Sequence, residues 1–174
     1  MIVRAATEAD AEALAHIYGD AVLNGFGTFE EAAPAAAEME ARRRAIANHG
    51  LPYLVAEADG RVLGFAYAGP FRPRAAYRYT LEDSVYVAPE AKGQGVGKAL
   101  LAAVIAACEA LGMRQLIAVI GDSQNAGSIG LHQALGFEQT GLNRSVGFKH
   151  GRWVDIVHMQ KPLNGGDLRL PERA

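Results

Sequence analysis

The run Lys92-Gly93-Gln94-Gly95-Val96-Gly97-Lys98 lies between a β-branched stretch ending in Val85-Tyr86-Val87 and an apolar stretch at helical spacing. A strand that turns through glycines into a helix start gathers free backbone N–H groups and the positive end of a helix dipole around one point, which makes an anion site. Glycine suits such a loop because a Cβ would hold a phosphate off the amides, and because the turn can require positive φ. A Walker A loop is excluded, since Lys92 stands where its first glycine belongs and Ala99, not Ser or Thr, follows Lys98. A dinucleotide fingerprint fails in both frames, which would need glycine at Lys98 or at Leu100. A turn with a purely structural purpose would use the same residues, so the loop alone does not decide the chemistry.

Upstream, Pro70 to Tyr79 read PFRPRAAYRY and crowd Arg72, Arg74 and Arg78 with Tyr77 and Tyr79 just before Glu82. A planar guanidinium suits bidentate binding of a carboxylate or phosphinate, although the same arginines could be solvated loop charges. Glu82 and Asp83 are adjacent in a strand-like run and so project to opposite faces. Downstream, Asn125 opens a short stretch that carries His132 and ends at Gly136-Phe137. His132 beside Leu131 and Leu135 reads equally well as a satisfied core histidine. His16, His49, His150 and His158 show no metal-ligand spacing, so no metal is expected. Cys108, at helical spacing from Val104 and Leu101, is expected to be a buried structural thiol.

The elements that must position these residues follow from periodicity and punctuation. Ile2 to Ala5 reads as a strand, and Thr7 with Asp10 forms a capping pair ahead of a helix with Leu14, Ile17, Tyr18, Ala21 and Val22 on one face. Asn24 to Pro34 is a loop presenting Phe26 and Phe29, and a second helix covers roughly Ala35 to Asn48. Asp59-Gly60 marks a hairpin, and a further strand ends at Pro89. A helix from about Gly97 to Ala110, a buried strand around Gln115 to Gly121, the short helix, and strands around Glu138 to Val146 and Arg152 to Gln160 complete the chain. The order β-α-α-β-β-β-α-β-α-β-β gives a mixed α/β (α+β) chain that regular βαβ winding does not fit.

With 174 residues, half of them hydrophobic, 21% charged and a formal net charge of −2, the chain is expected to fold as one domain over residues 1–163 with a mobile tail at 164–174. No global field favours nucleic acid or anionic lipid, and neither partner is expected. The N-terminus lacks signal-peptide order and no apolar run reaches membrane-span length, so a cytoplasmic protein is expected.

Taken together, the glycine loop and the block from Asn125 to Phe137 resemble the GNAT N-acetyltransferase superfamily, in which an Arg/Gln-x-x-Gly-x-Gly loop grips the pyrophosphate of acetyl-CoA. Lys92 replaces the usual first residue, which touches one side-chain contact in a grip made mainly by amides. Within the superfamily the chain is similar to the phosphinothricin and methionine sulfoximine N-acetyltransferases, through AYAGPFRPRAAYRYTLEDSVYV, LHQALGF and GFKHGRWVDI. The resemblance implies a GNAT-like mixed central sheet with flanking helices and acetyl-CoA as co-substrate. It implies that the main chain of Ser84 to Val87, including Val85, Tyr86 and Val87, pairs with the pantetheine, and that Lys92, Gly93, Gln94, Gly95, Val96, Gly97, Lys98 and Asn125 complete the coenzyme site.

It also implies Glu82 as the base for the acceptor amine, acting through a water, and His132 as the acid for the leaving thiol, where many members carry tyrosine. Phe29, Arg72, Arg74 and Tyr77 fall at the acceptor, Lys149 or Arg152 near a subunit seam, and the family's usual homodimer is expected. The implied reaction is acetylation of the α-amine of a small amino-acid analogue such as phosphinothricin, methionine sulfoximine or methionine sulfone, which would confer resistance to such compounds. Two alternatives stand beside it: a protein N-terminus, lysine or polyamine as acceptor, which would favour an open acidic groove, and a non-catalytic acetyl-CoA sensor.

Overall fold

Asp59 and Gly60 both take positive φ, 51° and 71°, the pair of left-handed residues that a two-residue hairpin turn demands. That turn joins β2 (Tyr53–Ala58) to β3 (Arg61–Pro70). In the computed structural model, which describes residues 1–171, the remaining elements are β1 (Ile2–Ala5), α1 (Ala11–Asn24), α2 (Ala36–Asn48), β4 (Thr80–Val87), α3 (Val96–Ala110), β5 (Gln115–Gly121), α4 (Ala126–Ala134), β6 (Glu138–Lys149) and β7 (Arg152–Pro162). The expected order and the mixed α/β class are both observed. Asp10 accepts the Thr7 N–H at 2.7 Å, which is the expected capping contact ahead of α1.

The seven strands form one sheet in the order β1-β2-β3-β4-β5-β7-β6, antiparallel throughout except where β4 runs parallel to β5. Helix α3 covers one face and α1 with α2 the other. A Cβ on Gly64 would touch Val96 and Leu100 of α3, whereas one on Gly69 would touch Ile46 of α2. Leu100, Leu101, Val104 and Cys108 of α3 are fully buried against the sheet, and each buried Leu or Val stabilises by roughly 1.5–3 kcal/mol relative to exposure. Burial pushes the Cys108 thiol up to about 12, which suits the inert role expected of it.

The sheet is not evenly zipped. Strand β4 pairs with β3 from Leu81 to Val87, but with β5 only from Thr80 to Asp83, opposite Gln115 to Ala118. Beyond Asp83 and Ala118 the two central strands part, leaving one side of the Ser84–Val87 main chain without a strand partner. Of the tail expected at 164–174, residues 172–174 lie outside the described residues. Asn164 donates to the carbonyls of Glu109 and Met113, and Arg114 donates to that of Leu170. No helix among the described residues is long and apolar enough to cross a membrane.

Candidate active site

The parting of β4 and β5 opens a cleft of about 700 Å³. Asp20 to Gly27, at the end of α1, line it from one face of the sheet, and the first turns of α3 and α4 line it from the other. Gly93 and Gly95 hold φ of 76° and 80°, a conformation that L side chains rarely adopt, and an added Cβ on either would meet nothing within 4 Å. The space over those amides is therefore open, and the first turn of α3 adds N–H groups with no intrahelical acceptor. Of the residues expected at a coenzyme, Val85, Tyr86, Val87, Lys92, Gly93, Gly95, Val96, Gly97, Lys98 and Asn125 line this cleft. Gln94 does not, because its side chain turns back to donate to the Glu90 carbonyl at 2.7 Å. The Tyr86 ring leaves the anion loop for the α1 face, stacked on Phe65 at 5.1 Å and edge-on to Tyr18 at 4.9 Å.

At the fork the strand alternates its carboxylates. Glu82 pairs with Gly69, the residue that faces Ile46, and so belongs to the α1/α2 face. It is half-buried, and burial lifts its pKa; Asp83 adds to the rise and Arg72 opposes it. Asp83 points the other way and bonds His132 of α4, Oδ2 to Nε2 at 2.9 Å. Asn125 anchors that helix: its Oδ1 accepts the Ser128 N–H at 3.1 Å, and its Nδ2 reaches the Gly121 carbonyl at 3.4 Å.

In the loop between β3 and β4, Arg72 lies over Phe71 at 4.9 Å, and Tyr77 meets the same ring edge-on at 5.6 Å. Arg74 caps the exposed turn Ala75–Tyr77. Phe29 packs against β6 and β5, where a Cβ on Gly147 would lie 2.3 Å from its ring and one on Gly121 3.3 Å from it and only 2.0 Å from the Phe26 carbonyl. These two glycines are sockets for the loop after α1, and nothing in their local sequence announces it. The loop is tied down further. Tyr18 hydrogen-bonds Thr28 and Glu30 at 2.9 and 2.8 Å, and Arg42 pairs with Glu30 at 2.7 Å.

Lys149, expected with Arg152 near a subunit seam, has a place within the chain. It is buried and donates to the Thr28 carbonyl at 2.8 Å, so it braces the loop after α1. Arg152 covers the Phe26 ring at 3.9 Å and pairs with Asp122 at 2.5 Å. Asp83, in sequence a competitor of Glu82 from the opposite face, gains its partner only in the fold: nothing local points to His132. Among the described residues no group of three or more His, Cys, Asp or Glu side chains is placed to hold a metal ion.

Residues 3–158 match the acetyltransferase (GNAT) domain. The chain belongs to the GNAT acetyltransferase family. As a GNAT domain it shares 56% identity over 170 residues with the phosphinothricin N-acetyltransferase of Alcaligenes faecalis, covering 98% of this chain and 86% of that protein. It is 43% identical over 163 residues to the L-methionine sulfoximine/L-methionine sulfone acetyltransferase of Pseudomonas paraeruginosa, covering 93% and 94% of the two chains. A crystal structure of a GNAT superfamily phosphinothricin acetyltransferase from Sinorhizobium meliloti, in complex with AcCoA, superposes with a TM-score of 0.96 at 49% identity, covering 99% of this chain and 94% of that one. By this membership the protein is an acyltransferase.

Proposed function

We propose that this protein moves the acetyl group of acetyl-CoA to the α-amine of a small anionic amino-acid analogue of the phosphinothricin, methionine sulfoximine or methionine sulfone kind. The observation that carries the reading is the fork at Asp83 and Ala118, where β4 sends Glu82 to one face and Asp83, bonded to His132, to the other. In this reading a proton acceptor and a proton donor stand on opposite faces of the sheet, and of the two carboxylates Asp83 lines the cleft. The residues fit the coenzyme: open amides at Gly93 and Gly95 suit a diphosphate, and the unpaired edge of Ser84–Val87 suits the amides of an extended arm. Lys92 and Lys98 add positive charge beside the loop.

On the other face, Glu82 takes a proton from the acceptor ammonium through a water, and burial raises its pKa, which makes the carboxylate a stronger base. Arg72, Arg74 and Tyr77 supply the cationic and aromatic groups for an anionic acceptor, with Phe29 closing the loop side. His132 supplies the proton that the leaving thiolate needs. A cytoplasmic location, where acetyl-CoA is supplied, belongs to the same reading. A homodimer completes the reading, supported by the exposed apolar residues Phe148 and Trp153 on β6 and β7.

An acetyl-CoA consumption screen tests the assignment. With methionine sulfone, methionine sulfoximine and phosphinothricin as acceptors, kcat/KM should exceed that for lysine-bearing peptides and polyamines by about 100-fold or more, the discrimination expected when a site built for a charged group meets a ligand lacking it. Preference for the peptides would overturn the acceptor, and tight coenzyme binding without turnover on any amine would reveal a sensor.

A further inference from the structure

Asp83 and His132 are 49 positions apart in the chain, both are buried, and they meet through one hydrogen bond of 2.9 Å. The other ring nitrogen, Nδ1, lies 2.7 Å from the main-chain carbonyl of Ser128. A carbonyl oxygen only accepts, so Nδ1 carries a proton. Nε2 then faces a carboxyl oxygen, and that contact is a hydrogen bond only when a proton lies between the two atoms. Either Nε2–H donates to ionised Asp83 or protonated Asp83 donates to Nε2, and both states hold the same number of protons. Removing that proton would set two lone pairs against each other in a desolvated site. The opposite tautomer would do the same between Nδ1 and Ser128. The geometry therefore keeps the pair loaded.

A second observation turns this pair toward the chemistry. Both residues line the cleft at the fork of β4 and β5, and Asp83 Oδ1 is buried without a hydrogen-bond partner. A buried polar atom left unpaired calls for an explanation, and a catalytic role is one.

We propose that Asp83 is a positioning residue for acetyl transfer: by fixing His132 through Nε2, it keeps on the pair the proton that the departing sulfur requires. This rests on the acetyl-transfer reading above. In the step itself Glu82 first passes one proton of the acceptor ammonium to solvent; the neutral amine nitrogen then bonds to the thioester carbonyl carbon and gives its second proton to Glu82. The C–S bond then breaks with its electron pair on sulfur, and the sulfur takes the proton of the Asp83–His132 pair. Glu82 releases its proton to solvent and the pair recovers one, so protons balance over the cycle.

The groups that face Asp83 are few. His132 comes from α4 and Cys108 from α3, the cross-strand neighbours Ala68 and Ala118 carry no charge, and Glu82 lies on the opposite face. The thiol, pushed up to about 12, stays neutral at working pH. Burial works against a charged His132, but the Asp83 hydrogen bond and charge, with the Ser128 carbonyl, outweigh it and raise the pKa. Burial raises that of Asp83 as well, and the His132 bond offsets part of the rise. Both shifts act in one direction, holding the pair's proton to higher pH.

Two readouts test the proposal, one of which needs no substrate. In protein labelled with 15N-histidine, wild-type His132 should titrate above the ordinary midpoint of about 6.5, and Asp83→Asn should lower that midpoint by about one pH unit or more. With methionine sulfone as acceptor, Asp83→Asn should reduce kcat roughly 10- to 100-fold while changing KM for acetyl-CoA less than about 3-fold, and the alkaline limb of kcat should move down with the histidine midpoint. His132→Asn should lose as much, and the double variant no more than either single one. A wild-type His132 that titrates at or below the ordinary midpoint, or an alkaline limb that stays in place in Asp83→Asn, overturns the proposal. Should Asp83→Asn fail to fold, the wild-type titration still decides whether the pair holds its proton. A failed acceptor screen would sink the acetyl-transfer reading without touching that titration.

Discussion

Glu82 shows how one buried carboxyl is asked to serve two ends. Its folded pKa lies above the unfolded value, so its contribution to stability is present at low pH and is lost as pH rises through the folded pKa. At neutral pH the ionised side chain, half-buried and with only Arg72 opposing the effect of burial, is a load on the fold. Acting as base requires that same ionised form, so activity should switch on over the window in which the stabilising contribution disappears. Glu82→Gln is therefore expected to move the two properties apart. The variant should lose kcat by about 100-fold, and the acid limb of its pH–rate profile should vanish, since general-base assistance contributes on the order of 10²–10⁴. Its melting temperature at neutral pH should stay level or rise. Steady-state profiles beside thermal melts decide it: loss of activity with a lower melting temperature would mean structural damage, and an intact acid limb would remove Glu82 from the reaction.

At the scale of elements, the first turn of α3 separates two jobs that the glycine loop appeared to combine. Gly95 sits at φ 80° with open space around it, so an added methyl strains the backbone and crowds an incoming diphosphate without disturbing the packing. At Gly97 the added Cβ would come within 3.2 Å of Leu131 on α4, the helix that carries His132. Gly95→Ala should thus raise KM for acetyl-CoA roughly 10-fold, with left-handed strain of about 1–2 kcal/mol, and leave kcat within a few-fold. Gly97→Ala should act mainly on kcat by shifting α4. Kinetics over a range of acetyl-CoA concentrations separate the two, and matching effects would mean that the loop works as a single unit.

The same contrast explains what could be read from the sequence. The Asp59-Gly60 turn, the Thr7/Asp10 cap and the apolar stripe of α3 were legible because each is a local rule written in neighbouring residues. The Asp83–His132 bond and the seating of Phe29 on Gly147 were not, since each joins segments far apart in the chain and depends on where the sheet places them. The Lys149–Thr28 contact was out of reach for the same reason, since only the folded hairpin brings the lysine under the Thr28 carbonyl.

Over the whole molecule, the outer hairpin links surface to site. Phe148 and Trp153 are cross-strand partners on β6 and β7, 59% and 63% exposed, and they contact each other edge-on at 5.2 Å. Exposed aromatic residues beside an edge strand are a liability unless something covers them. A second copy of the chain is the cover inferred above. The hairpin that bears them also holds Lys149 against Thr28 and Arg152 over Phe26, so a partner seated there would stiffen the loop that carries Phe29. Assembly and acceptor binding should then be coupled, while the coenzyme loop at the fork should be indifferent to both. Light scattering on the wild type should give a dimer, and Trp153→Glu should give a folded monomer, because a charge buried in an apolar interface costs several kcal/mol. In that monomer KM for the amino-acid acceptor should rise roughly 10-fold, about 1.4 kcal/mol, with KM for acetyl-CoA unchanged. A monomeric wild type removes the coupling altogether, and a Trp153→Glu protein that remains dimeric moves the interface to another face.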